Sequence, residues 1–277
     1  MVFIVSTTED GKRFVTIDIS HALVDGVSIL ILFRDLCLAY DGKLTTGRTI
    51  KYSSYINYIR QLSLQSSLEY WTKHLEDAIP CHFPTLNDDL PGESQPGELK
   101  MDIQGIDALS ELCAAKNFTP ATVFQAAWAL LLQTYTGQDD VCFGYLTAGR
   151  EMPVAEISDA VGVFINMMVY HTKLSPESTV ASLAKEIQQS FMGGLPHQHC
   201  SVAEIQHALG LSKPLFNTIM SLQSALGEDL FGGEPDGKLG FKVVDELDPT
   251  EVRPNRDSYH SLIYRRAVLT KFSMMSR

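Results

Sequence analysis

A chain of 277 residues that is 45% hydrophobic and 20% charged has apolar side chain enough for one large domain or two modest lobes, which excludes a disordered polymer. Its formal charge of −11, from 22 basic and 33 acidic residues, offers no general attraction to phosphate backbones, so nucleic acid is not an expected partner. Five widely spaced cysteines without a C-x-x-C pair argue against a disulfide framework or a thiolate zinc site. No basic leader and no apolar run near about 20 residues marks a secretory or membrane-spanning segment, so the expected setting is a reducing cytoplasm with no membrane partner.

Residues 3–6 and 14–19 are predicted as two strands. Val15, Ile17 and Ile19 alternate with Thr16, Asp18 and Ser20, the period-two pattern of a half-buried strand, and Asp10-Gly11 between the two is a hairpin signal. Beyond Gly26, the residues Ile29, Leu30, Leu32, Phe33, Leu36 and Cys37 recur at three-to-four spacing, predicting a helix over 27–40 with one apolar side. A second helical region covers 53–77, with a weaker patch at 63–67, and Pro80 stops it. Between 80 and 98 the prolines Pro80, Pro84, Pro91 and Pro96 with Gly92 and Gly97 break regular structure and read as a linker. It divides a first lobe over 1–79 from a second over 99–277.

The second lobe opens with a predicted strand at 98–102 and a short amphipathic helix marked by Ile106, Leu109, Leu112 and Cys113. Thr119 then caps a helix with Pro120 at its first position, where the missing N–H costs nothing. The body of that helix, 123–132, is apolar nearly all round, which predicts a central core helix. Strands at 141–147 and 161–170, a helix at 179–191 and strands at 216–222 and 241–244 complete the reading. Neither an internal repeat nor a glycine-rich phosphate loop is visible.

Few residues carry chemistry. His21 lies where a strand hands over to a helix, on a loop fixed at both ends, and a neutral imidazole there can take a proton from an amine or hydroxyl that attacks a carbonyl. Asp25 either orients that ring or pairs with a distant arginine, and the pairing is the favoured reading; Arg150, just beyond a strand end, is the candidate partner. Asn166 offers an amide that binds a substrate or fastens a neighbouring loop. His197, His199, Cys200 and His207 do not match structural zinc spacing, and no metal is expected. The bland alternatives are a satisfied loop histidine, a turn aspartate and a solvent-facing arginine.

The order of motifs adds a resemblance. Ser20-His21-Ala22-Leu23-Val24-Asp25-Gly26 resembles the third motif of the condensation domains of nonribosomal peptide synthetases, a double histidine followed by three residues and Asp-Gly. Tyr52-Ser53-Ser54-Tyr55-Ile56-Asn57-Tyr58 looks like the fourth motif and Val161-Gly162-Val163-Phe164-Ile165-Asn166 the fifth. Leu195-Pro196-His197-Gln198-His199-Cys200 resembles the sixth and Ser212-Lys213-Pro214-Leu215-Phe216-Asn217 the seventh. Val141-Cys142-Phe143-Gly144-Tyr145, ahead of Gly149-Arg150, is similar to fungal versions of the domain.

What the resemblance implies is an α/β fold, an α+β two-layer sandwich of chloramphenicol-acetyltransferase-like lobes, here with the first lobe truncated because nothing in 1–13 looks like the first two motifs. It implies attack by an amine, or a hydroxyl, on a thioester presented by phosphopantetheine of a carrier protein, with no tightly bound cofactor. Carrier proteins and adjacent synthetase domains are the implied partners. His21 matches the catalytic histidine; Asp25 matches the aspartate whose ion pair supports the loop, with Arg150 as partner; Gly26 allows the turn; Asn166 matches an amide near the substrate channel. Ser20 replaces the motif's first, mainly structural, histidine, as in fungal terminal domains that release product by cyclisation. Asp248-Pro249-Thr250-Glu251 resembles the family, the following 252–257 breaks an expected strand, and 262–269 looks familiar before stopping early. Two alternatives stay open: a noncatalytic remnant that docks carrier proteins, and a coenzyme A-dependent H-x-x-x-D acyltransferase.

Overall fold

Local capping chemistry sets most element boundaries in the computed structural model, which describes residues 1–7, 9, 13–20, 22–45, 51–84, 104–222, 239–247 and 269–276. Strands β1 (Val2–Thr7) and β2 (Arg13–Asp18) form the expected antiparallel hairpin, from Val2 facing Asp18 to Thr7 facing Arg13. Helix α1 (Gly26–Tyr40) starts where the Asp25 carboxylate accepts the Ser28 N–H at 2.8 Å, an N-cap bond. The single helical region expected over 53–77 is two helices, α2 (Tyr52–Ile59) and α3 (Leu64–His74). The break comes at the weak patch because Ser63 is extended and its hydroxyl accepts the Ser66 N–H at 3.2 Å, starting a new helix.

Helix α4 (Ile106–Lys116) ends at Asn117, and α5 (Pro120–Thr136) opens under Thr119, whose hydroxyl accepts the Thr122 N–H at 3.2 Å. Strand β3 (Asp140–Thr147) then pairs antiparallel with β4 (Asn166–Lys173), Asp140 facing Lys173 and Thr147 facing Asn166. Reciprocal capping boxes begin α6 (Val180–Gly194) at Thr179 and α7 (Val202–Ala208) at Ser201. Strand β5 (Ile219–Met220) adds to β3 in parallel, giving a sheet ordered β4-β3-β5. A second sheet joins the two ends of the described chain: β6 (Leu239–Leu247) and β7 (Leu269–Ser276) extend the hairpin in the order β1-β2-β7-β6.

Three sequence expectations give way. The strand expected at 161–170 begins only at Asn166, because the backbone groups of 162–164 are taken by side chains and backbone from α1 and α2 rather than by a neighbouring strand. The strand at 216–222 shrinks to two residues plus a bridge between Phe216 and Cys81. Helix α5 is not central: Ala126, Ala129 and Leu132 are fully buried against β3 and α6, while Leu130, Leu131 and Tyr135 are exposed. The strand expected at 98–102, the segment 248–268 and most of the linker fall outside the described residues.

The main core collects Trp71 and Leu75 of α3, Cys81, Leu132, Phe143, Tyr170, Ile187, Ile205 and Phe216, so it runs across residue 80, where the linker was expected to begin. Trp71, 2% exposed, seats over Gly194, and the Tyr70 hydroxyl over Gly193; a Cβ on Gly194 would run into the Met168 terminal methyl and crowd the Trp71 ring, and one on Gly193 would press on the Tyr70 hydroxyl. The Asn217 side chain imitates a strand partner. Its Oδ1 accepts the Phe83 N–H at 2.7 Å and its Nδ2 donates to the Phe83 carbonyl at 3.0 Å. No helix among the described residues is long and apolar enough to cross a membrane.

Candidate functional site

Residues 19–25 join β2 to α1, and their ends are anchored. Ile19 and Val24 are buried, whereas Ser20, Ala22 and Leu23 between them are exposed. The Ser20 hydroxyl accepts the Ala22 N–H at 3.3 Å and its carbonyl accepts the Leu23 N–H at 2.9 Å, so Ser20 turns the segment from within. His21, the expected catalytic residue, lies outside the described residues.

Behind this loop is a buried polar knot. Arg150 Nη2 donates to Asp25 Oδ1 at 3.1 Å, with both side chains under a tenth exposed. Asp25 Oδ1 also accepts the Ser28 N–H, and Oδ2 accepts the Phe164 N–H at 3.0 Å. With three donors on its two oxygens, the carboxylate acts as a junction. Arg150 is equally committed: Nη1 donates to the carbonyls of Ile157 and Ala160, each at 2.8 Å, and Nη2 reaches Ser28 Oγ at 3.0 Å. Its guanidinium lies 4.1 Å over the Phe164 ring, a cation–π contact.

Ser28, fully buried, closes the knot. Its Oγ donates to the Gly162 carbonyl at 2.7 Å and accepts the Gly162 N–H at 3.0 Å. The 161–165 segment is thus held by hydrogen bonds at its backbone instead of a strand ladder. From its other side, Tyr52 Oη donates to the Val163 carbonyl at 2.6 Å, and the rings of Tyr52 and Tyr55 pack on Phe164 at 5.2 and 4.7 Å. Burial pushes both phenols above their ordinary range, keeping them neutral. Asn166 Nδ2 donates to the Phe164 carbonyl at 3.2 Å and lies 3.5 Å from Tyr55 Oη, fastening the loop.

Two glycines trade places with the sequence reading. A Cβ on Gly26 would meet nothing within 4 Å, and Gly26 is simply the first residue of α1, so the turn does not require it. Gly149 does need to be glycine: its φ is +67°, and a Cβ there would overlap the Phe164 carbonyl. The sequence reading also passed over Ser28, although it sits three residues beyond Asp25, where an N-capping aspartate finds its N–H partner. Among the described residues no group of three or more histidine, cysteine, aspartate or glutamate side chains is placed to bind a metal. Burial pushes the Cys200 thiol up to about 11, which keeps it protonated at neutral pH.

Comparison with known proteins supplies the family. The condensation-domain family model matches residues 1–257. Nonribosomal peptide synthetase 1 of Aspergillus fumigatus is 39% identical over 249 residues, covering 89% of this chain and 4% of that protein. FR901469 synthetase of a Dothideomycetidae species is 41% identical over 250 residues, 88% of this chain and 2% of its own length. Among solved structures, the first condensation domain of the CDA synthetase superposes with a TM-score of 0.60 at 18% identity, covering 74% of this chain and 47% of that one. The crystal structure of holo T3CT gives 0.61 at 19% identity, covering 99% of this chain and 60% of that one. The chain therefore spans a few per cent of these synthetases and about half of a solved condensation domain, with the same fold. It belongs to the condensation-domain family of nonribosomal peptide synthetases, with fungal relatives.

Proposed function

We propose that this chain carries the histidine loop and second-lobe wall of a condensation site, which joins a carrier-bound thioester to an amine or, in a cyclising variant, a hydroxyl. The acceptor nitrogen attacks the thioester carbonyl, the C–N bond forms, the C–S bond breaks, and the acceptor's proton passes to the departing pantetheine sulfur. His21 positions the amine and takes up that proton in transit, while two substrates held on tethers gain most of their rate from orientation. Asp25, Arg150 and Ser28 support the loop, Ser20 shapes it, and the Asn166 carbonyl oxygen is left to meet a substrate along the channel. The partners are aminoacyl or peptidyl carrier proteins and neighbouring synthetase domains in the cytoplasm.

The observation that carries this reading is the buried Asp25–Arg150–Ser28 knot, which pins one end of the His21 loop to the second-lobe segment 161–165. The test mixes the purified chain with an aminoacyl thioester on a holo carrier protein and an amine acceptor, following the new amide by mass spectrometry. His21→Ala should lower product by about 10²–10⁴-fold, the range general acid–base groups supply. Equal product from wild type and His21→Ala would remove His21 from the chemistry. Carrier binding without product from either would leave a docking module.

A further inference from the structure

The histidine-rich run at 197–200, unexplained by zinc spacing, meets imidazole and hydroxyl groups of α3 and α6 in one half-buried cluster. Ser67 of α3, 2% exposed, places Oγ 3.0 Å from His197 Nδ1 and 3.3 Å from His199 Nε2. Tyr70 stacks on His197, ring centroids 4.3 Å and planes 16° apart, and on His74 at 5.7 Å and 8°. His74 Nε2 in turn lies 3.3 Å from Ser190 Oγ of α6, and Trp71 Nε1 donates to the His197 carbonyl at 3.0 Å. Much of the buried face of α3 therefore closes on residues 190–199 through three imidazoles.

The proton inventory makes that closure conditional. One hydroxyl can serve two neutral imidazoles by donating to one ring nitrogen and accepting an N–H from the other. Two imidazolium rings would both donate into the same oxygen, strand the hydroxyl proton and bring two positive charges within about 6 Å. Among the described residues, the charged groups facing the rings are few. Glu204 of α7 faces His199, while Glu186 of α6 and His171 of β4 face His74. Both carboxylates are already engaged, Glu204 by the Ser201 N–H and hydroxyl and Glu186 by the Thr172 hydroxyl. The Tyr70 phenol, pushed up by burial, is uncharged. Burial holds His74, His197 and His199 below the ordinary histidine range, with His171 adding to the effect on His74 and His197 to that on His199.

We propose that this cluster is an acid-sensitive latch: neutral imidazoles hold α3 against residues 190–200, and their protonation releases it. Because the latched rings bind protons more weakly than released ones, the latch is at full strength above the free histidine pKa of about 6.5 and weakens as pH falls through the lowered values. α3 follows α2 after a short turn, and α2 supplies the Tyr52 and Tyr55 clasp on segment 161–165, so release loosens that clasp. The latch does not depend on the transfer reaction proposed above.

Hydrogen exchange by mass spectrometry, corrected for intrinsic rates, tests it between about pH 7.5 and pH 5. The amides of α3 should lose about tenfold or more of their protection on acidification while those of β3 and α5 keep theirs. In a Trp128→Phe background, which leaves Trp71 the sole indole, emission should shift to the red over the same pH range. The double substitution His197→Asn and His199→Asn should flatten both responses, and Ser67→Ala, which keeps the rings but removes their shared hydroxyl, should move the transition to higher pH. Flat profiles in wild type, simultaneous loss of protection in β3 and α5, or an unchanged transition in these variants would each overturn the latch.

Discussion

Asp25→Asn is expected to destabilise the chain by about 3–5 kcal/mol, the cost of leaving one member of a buried ion pair without its counterion. The Arg150 guanidinium has no second carboxylate among the described residues; its remaining contacts are carbonyls, the Ser28 hydroxyl and the Phe164 ring. Asparagine keeps the shape but removes the charge and turns one accepting oxygen into an N–H donor that faces either the Phe164 N–H or the donors from Ser28 and Arg150, so both losses contribute. Combining Asp25→Asn with Arg150→Met should recover about 2 kcal/mol or more relative to additivity, because the orphaned cation is then gone. Urea unfolding of the four chains measures the coupling. Additive losses would show that the two side chains are stabilised independently and that the knot is not a unit.

Gly149→Ala should cost about 2–5 kcal/mol, from a left-handed backbone that alanine adopts poorly and a Cβ for which the Phe164 carbonyl leaves no room. The effect should spread. Phe164 carries one of the Asp25 hydrogen bonds, the cation–π face for Arg150 and the ring that Tyr52 and Tyr55 clasp. Displacing it unseats all three, so carrier-dependent product formation should fall even where the variant remains folded. Thermal unfolding together with the amide-formation assay checks both halves. A variant of wild-type stability would show that 161–165 yields easily and has no role in positioning the loop.

Elements whose ends depend on neighbours in sequence were legible. Thr119-Pro120 announces α5, because a cap is decided within a few residues, and the alternation of Val15, Ile17 and Ile19 announces β2. The α/β class and the fungal condensation-domain family were legible too, through motifs in a fixed order. The segment 161–165 was not, since an apolar run of this kind looks like a buried strand until distant Asp25, Ser28 and Tyr52 claim its amides and carbonyls. The apolar circumference of α5 was likewise misleading: sequence counts apolar residues, but only packing decides which side finds partners. Asp25 and Arg150 were matched by charge and placement alone, whereas the hydroxyl of Ser67 between His197 and His199 had no sequence signal, coming from a helix far upstream.

The sheet ordered β1-β2-β7-β6 places Thr16 opposite Ser273. About 250 residues lie between Asp18 and Leu269, so during synthesis the hairpin emerges on the order of tens of seconds before its neighbour at ordinary elongation rates. Throughout that wait the outer side of β2 offers unsatisfied amides to any passing polypeptide, with Phe3, Ile4 and Val5 exposed beside it. Nascent chains should therefore depend on holdase chaperones, and arrest shortly before Leu269 should leave ribosome-bound chains prone to co-aggregate.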